Sequence, residues 1–201
     1  MKKVLFIILV AFAALYANAQ NESQARSVLN KTASLLGRKG GVSASFTLSN
    51  SKIGTVSGSI AVKGKKFNAK TKQAIVWYNG KTQWSYIKRN NEVNVTIPTP
   101  SQQQMMNPYA FINIYRSGYK LGLSNSGNNH IIHLKANGHK SISEMYITIG
   151  KSTNIPSIIK YKQNSSWTTI RIRNFRTSNL SDRVFTFNYK DFPSAEVVDL
   201  R

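Results

Sequence analysis

The sequence is 201 residues long, 41% hydrophobic, and carries 28 lysines and arginines against seven aspartates and glutamates, a formal net charge of +21. It has no cysteine, which excludes disulfides, a thiol nucleophile, a cysteine-based metal site and the cysteine-borne lipid of a bacterial lipoprotein. The length suits one domain with a hydrophobic core and falls short of two.

Lys2 and Lys3 make a basic start, Val4 to Leu15 is an apolar run, and Ala17-Asn18-Ala19 is a small-x-small cleavage site. The run is too short to cross a bilayer core, which needs about 20 residues. Residues 1–19 are therefore expected to be a cleaved signal peptide, and residues 20–201 a single exported domain. The 28 basic residues less Lys2 and Lys3 leave 26 against seven acids, a charge of +19. In a cytoplasmic protein that excess would suggest nucleic acid; export argues against such a partner. It leaves anionic lipid, lipopolysaccharide or an acidic protein as partner, or simply a solvated basic face.

Residues 22 to 37 predict an amphipathic helix, with Ala25, Val28, Leu29, Thr32, Leu35 and Leu36 at helical spacing, Ser23 as cap and Gly37 at the end. From Val42 the period becomes two. Val42, Ala44, Phe46 and Leu48 alternate with Ser43, Ser45 and Thr47; Val56, Gly58, Ile60 and Val62 alternate with Ser57, Ser59, Ala61 and Lys63. Half-buried antiparallel strands read this way. Asn79-Gly80 predicts a two-residue hairpin turn, pairing Tyr78 with Lys81, Trp77 with Thr82, Ile75 with Trp84 and Gln73 with Tyr86. Ile75, Trp77, Trp84 and Tyr86 then share one face that must be covered. Val93, Val95 and Ile97 continue the pattern.

Pro98 to Leu123 interrupts it with prolines and a Met- and aromatic-rich stretch. A short helical lid carrying Met105, Met106, Pro108, Phe111, Ile112 and Tyr115 is expected here, with Asn107-Pro108 and Gly118 as places to bend. The plain alternative is an irregular connection packed permanently on the sheet. Beyond it, Asn137-Gly138 pairs Ala136 with His139, Leu134 with Ser141 and Ile132 with Ser143. Ile132, Leu134, Met145, Ile147 and Ile149 fall on one face; His133, Lys135, Lys140, Ile142 and Glu144 fall on the other. Strands follow around Ile155 to Tyr161, Trp167 to Phe175 and Val184 to Tyr189. About ten strands exceed what a flat open sheet holds without curling. A helix followed by such a run gives the α+β class on a curved, barrel-like antiparallel sheet.

Catalytic patterns are lacking. The seven acids make no close pair on an inner face of the kind glycosidase chemistry wants. His130 and His133 stand at an odd offset, which on a strand turns them to opposite faces. Ser157-Ile-Ile-Lys160 has the S-x-x-K spacing, but follows a proline in a predicted strand where that chemistry needs a helical turn. No metal, no cofactor and no enzymatic activity are expected.

The stretch Ile75-Val76-Trp77-Tyr78-Asn79-Gly80-Lys81-Thr82-Gln83-Trp84-Ser85-Tyr86 resembles the Asp/Asn-Gly-Lys-Thr-x-Trp-x-Tyr hairpin of the LolA-type periplasmic lipoprotein carriers, the LolA/LolB-like fold. Val184-Phe185-Thr186-Phe187 and the tail Pro193 to Arg201 resemble that family's closing strand and tail. The resemblance implies an unclosed, strongly curved antiparallel half-barrel with helices at its mouth. It also implies a monomeric carrier in the periplasm that takes lipoprotein acyl chains, or other lipid, from an inner-membrane exporter and gives them to an outer-membrane acceptor. The family's lid latch is an arginine after the phenylalanine of the strand before the hairpin. Here that stretch is Phe67-Asn68-Ala69-Lys70, with Asn68 at the latch position and Lys66 or Lys70 as possible replacements.

The cavity is expected to be lined by Phe46, Ile60, Phe67, Ile75, Trp77, Trp84, Val93, Val95 and Ile97; the plain alternative is that these residues make a filled core. A rival of another class is a basic sheet module for anionic lipid, lipopolysaccharide or a partner protein, with Arg171, Arg173, Lys160 and Lys162 as its face.

Overall fold

The structure is a computed structural model that describes residues 20–99, 102 and 110–201, and of residues 110–112 the backbone alone. Residues 1–19, the expected signal peptide, lie outside the described residues. A helix, α1, runs over residues 20–36. Residue 20 is already helical, so Ser23 lies within α1 rather than capping it. Gly37 closes the last turn by donating its N–H to the Ala33 carbonyl at 2.9 Å.

Twelve strands follow among the described residues. The first six are β1 (Val42–Asn50), β2 (Gly54–Lys63), β3 (Lys66–Thr71), β4 (Ala74–Tyr78), β5 (Gln83–Ile87) and β6 (Glu92–Thr96). The others are β7 (Tyr119–Ser126), β8 (Asn129–Ala136), β9 (Ile142–Gly150), β10 (Pro156–Gln163), β11 (Ser166–Thr177) and β12 (Glu196–Asp199). They form one sheet in the order β12-β6-β5-β4-β3-β2-β1-β11-β10-β9-β8-β7. Two meanders, β1–β6 and β7–β11, join where β1 pairs with β11. Each pairing is antiparallel except that of β12 with β6. β7 and β12 stand at opposite ends, so the sheet is unclosed.

Gly58 marks the curl. A Cβ there would lie 2.1 Å from the Lys70 carbonyl oxygen and 2.9 Å from Cζ of Phe46. Only glycine lets β2 and β3 approach so closely, as at a barrel corner.

Both Asn-Gly turns differ in length from the two-residue form. At Asn79, Trp77 pairs with Trp84 and Tyr78 with Gln83, a slip of two from the expected register. Asn79 Oδ1 accepts from the N–H groups of Lys81 and Thr82, both at 2.9 Å. That side-chain turn closes a four-residue loop in which Gly80 has positive φ and Asn79 does not. At Asn137, Leu134 pairs with Met145 and Ile132 with Ile147, a slip of four. Both slips are even, so the facing of the paired side chains survives. Ile142 is the exception. The β9–β10 register slips between Lys162 and Gln163, and Ile142 is buried on the core side.

Two further expectations are corrected. Val184 to Tyr189 is no strand: it falls across 3-10 turns at Asp182–Phe185 and Tyr189–Asp191. The last five residues of Pro98–Leu123 belong to β7, where Tyr119 and Leu121 are buried and alternate with exposed Lys120.

The sheet has an apolar cluster on each side. Ala25, Leu29 and Leu36 of α1 pack with Val42, Ile60, Phe67, Ile132, Leu134, Met145, Ile147, Ile159 and Ile170. On the opposite face Trp77, Trp84, Val93 and Val95 pack with Phe187, with Phe192 against them.

Candidate functional site

The helix-bearing face is built from side chains that the registers align. Phe46, Gly58 and Thr71 make one row; Ala44, Ile60, Ala69 and Val76 make the next. α1 lies over the second meander and is tied there by polar contacts from four of its side chains. Asn21 receives the Leu123 N–H at 2.6 Å and donates to the Leu123 carbonyl at 2.9 Å, taking the place of a neighbouring strand on the edge of β7. Arg26 reaches the Tyr115 carbonyl at 3.3 Å, the Tyr115 hydroxyl donates to Asn30 Oδ1 at 2.5 Å, and Thr32 donates to the Asn154 carbonyl at 3.0 Å. Beneath α1, Ile132, Leu134, Met145, Ile147 and Ile159 have no exposed surface. On the first meander the same face is less covered: Phe46, Leu48, Ala69 and Val76 are only partly buried. It turns polar at β5, where Gln83 Oε1 is buried with no hydrogen-bond partner among the described residues.

The expected cavity residues divide between the two faces. Phe46, Ile60 and Phe67 lie on the helix side. Ile75, Trp77, Trp84, Val93 and Val95 lie on the other, and Ile97 is 56% exposed beyond the end of β6. Even-numbered Val76, with Ala69 and Leu48, completes the helix-side surface. Alternation separates Val76 from Trp77 but leaves both faces of β4 apolar, so it does not say which face holds the interior.

On the outer face the C-terminal segment lies over the tryptophans. The Trp77 ring meets Phe187 at 5.4 Å and Phe192 at 5.5 Å, both edge-on, and Tyr86 meets Phe192 at 4.7 Å. Asp182 fastens the segment, pairing with Lys63 at 3.0 Å and Lys66 at 2.9 Å. Those two amines hold the Asp182 carboxyl below its ordinary range, Lys66 most. The latch candidates all turn this way: Asn68, buried, donates to the Val76 carbonyl at 3.0 Å, Lys66 binds Asp182, and Lys70 lines an outer groove.

Met105, Met106 and Pro108 of the expected lid lie outside the described residues. Phe111 and Ile112 belong to a 3-10 turn, Ala110–Arg116, whose buried Tyr115 carries the bond to Asn30.

Lys160, Arg171 and Arg173 project from the outer face of β10 and β11, with the Lys160 amine 4.7 Å from the Trp167 ring. Lys162 is half-buried. Nearby, His133 contacts Glu144 Oε1 at 2.8 Å, and the Tyr146 hydroxyl donates to the same oxygen at 2.9 Å. Tyr146 chiefly, and His133, hold the Glu144 carboxyl low. His130 turns instead to Asn125, at 2.9 Å. Among the described residues no three His, Asp or Glu side chains group to hold a metal ion.

The profile of the family described as outer membrane lipoprotein carrier protein LolA matches residues 15–165. Among solved structures, an uncharacterized conserved protein from Thermus thermophilus is similar at TM-score 0.58 and 11% identity, over 88% of this chain and 98% of that one. A LolA superfamily protein from Nitrosomonas europaea is similar at TM-score 0.48 and 9% identity, over 82% and 98%. A putative outer membrane lipoprotein-sorting protein domain from Vibrio parahaemolyticus gives 0.47 and 8%, over 86% and 99%. No curated protein matches the sequence.

Proposed function

The chain belongs to the outer membrane lipoprotein carrier protein LolA family, and from that premise we propose that it is an exported, non-catalytic carrier that holds the acyl chains of lipoproteins, or other lipid, in an apolar cavity. Residues 1–19 are its cleaved signal peptide, residues 20–201 its one domain, and the periplasm its place of work. It takes cargo from an inner-membrane exporter, acts as a monomer, and delivers to an acceptor at the outer membrane.

One observation carries the reading. The helix-bearing face is apolar from β8 to β4, yet Phe46, Leu48, Ala69 and Val76 keep part of their surface uncovered where α1 does not reach. An acyl chain laid on that surface gains ~0.8 kcal/mol for each CH₂ it buries and needs no polar partner along its length. Phe46, Ile60 and Phe67 with Leu48, Ala69 and Val76 are the proposed lining. Met105, Met106, Pro108, Phe111, Ile112 and Tyr115 are the proposed lid, with Asn107-Pro108 and Gly118 as its places to bend and the Tyr115–Asn30 bond as its tie to α1.

The test is direct. Protein purified from the cell envelope without detergent is extracted and its lipids identified by mass spectrometry, and a fluorescent acyl probe is titrated into the stripped protein. Copurified lipid or acylated peptide, with probe binding weakened in Val76→Asp, is expected. Lipid-free protein that also ignores the probe sinks the reading.

The second reading, a basic sheet face for anionic lipid, lipopolysaccharide or a partner protein, is favoured by the exposed Lys160, Arg171 and Arg173. Binding that disappears at moderate salt and is indifferent to chain length supports it instead.

A further inference from the structure

The face opposite α1 changes character from strand to strand. One cross-strand row reads Arg173, Ser45, Ser59, Lys70, Ile75; the next reads Arg176, Ser43, Ala61, Asn68, Trp77. Each passes from guanidinium through short side chains to an amide or amine and then to a large apolar group. Because Ser43, Ser45, Ser59 and Ala61 are short, Arg176 and Lys70 stand as the walls of a trough of about 430 Å³. A larger groove of about 690 Å³ shares Asn68, Lys70 and Val184 with it. Its floor is Ile75 and Trp77, and its roof is Phe187, Tyr189 and Phe192 of the C-terminal segment.

The charges are one-sided. Lys70, Arg176 and Arg183 line the two parts and make no ion pair among the described residues. The one carboxylate lining them, Asp191, already accepts from Asn188 at 3.1 Å. A basic, hydroxyl-lined end continuous with an aromatic end, in the size range of small-ligand sites, matches a molecule with the same asymmetry.

We propose that this groove is a second ligand site, for a single-chain anionic amphiphile whose acidic headgroup sits by Lys70, Arg176 and Arg183 and whose alkyl chain runs along the aromatic end of the groove, beside Ile75, Tyr189 and Phe192. It lies across the sheet from the cavity proposed above and does not rest on that reading.

Dodecyl phosphate, kept below its micelle concentration, tests it in the lipid-free full chain by calorimetry and amide–nitrogen NMR. Shifts are expected at the amides of Asn68, Lys70, Phe187 and Phe192 and at the Trp77 indole. The Lys70→Glu/Arg176→Glu variant is expected to bind about tenfold more weakly, the loss of charge-assisted contacts to the headgroup. Should that variant fold poorly, Ser59→Trp fills the trough without changing charge and is expected to weaken binding likewise. Dodecyl maltoside, with a neutral head, is expected to bind about tenfold more weakly than dodecyl phosphate. Inorganic phosphate alone is expected not to compete, which separates a tethered headgroup from a free anion. Shifts confined to α1, β8 and β9, or affinity unchanged in both variants, overturn the site. Equal affinity for the maltoside, or tight binding of inorganic phosphate, overturns the anionic amphiphile as its ligand.

Discussion

The two meanders of the sheet dispose of their apolar residues differently. In β7–β11 one face is filled and the other is wet: Ile132, Leu134, Met145, Ile147 and Ile159 are sealed beneath α1, while Lys160, Arg171 and Arg173 face solvent. In β1–β6 each face is apolar over only part of its width, and the helix side is not sealed so completely. Phe46, Leu48, Ala69 and Val76 are partly open on one side, and the tryptophan cluster on the other is covered by short turns. The first arrangement secures stability. The second leaves apolar surface accessible, as the proposed lining requires.

The contrast breaks first, and by the largest margin, if Ile147→Ala fails to destabilise. Truncating a sealed core isoleucine costs about 2–5 kcal/mol, read from the urea midpoint. A loss below about 1 kcal/mol would mean the second meander is no more filled than the first.

Phe46→Ala sharpens it from the other side. A partly buried ring loses less apolar burial, about 1–2 kcal/mol, but acyl-probe affinity is expected to drop about tenfold. If stability falls as far as in Ile147→Ala and probe binding is unmoved, Phe46 is core and not lining.

That division is only partly legible in the sequence. Period-two alternation sorts the strand residues into two faces, and because the turns at Asn79 and Asn137 slip the registers by even steps, the sorting survives wrong pairings. In β8 and β9 one face is apolar and the other charged, so inside and outside are plain. In β4 both faces are apolar, and alternation carries no sign: it groups Phe46, Ile60 and Phe67 with Trp77 and Trp84, which lie across the sheet. Ile142 escapes because a bulge reverses parity, and the turns over Val184 to Tyr189 because aromatic spacing of two suits a covering segment as well as a strand.

Tyr115→Phe is a smaller test, of where α1 meets the connection between the meanders. Deleting the hydroxyl that donates to Asn30 costs about 1 kcal/mol, and amides of 113–116 are expected to exchange faster while those of β8 and β9 do not. Uniform acceleration would show that the connection and the filled core open together.

The smallest effect is expected on acidification. Lys66 and Lys63 hold the Asp182 carboxyl low, so its attachment of the C-terminal segment is complete above the ordinary carboxylate pKa, about 4, and is lost as pH falls through the lowered value. Trp77 packs edge-on against Phe187 and Phe192, so its emission is expected to change in that window, and the same component is expected to be missing from Asp182→Asn. Asp199, taken down to about 2 by Arg201, is present in both proteins, so the difference between them reports Asp182. Identical acid profiles for the two proteins would mean that the aromatic contacts alone hold the segment.

The parallel pairing of β12 with β6 also sets an order of events in time. Glu196 N–H reaches the Asn91 carbonyl and Leu200 N–H the Val95 carbonyl, so residues made about a hundred positions later complete a strand edge laid down far earlier in the chain. Until then β6 offers a bare row of backbone donors and acceptors, the kind of edge that recruits another chain. Such a late, long-range closure is slow to form. A chain truncated before Glu196 is thus exposed to edge-to-edge aggregation from the moment its first meander folds.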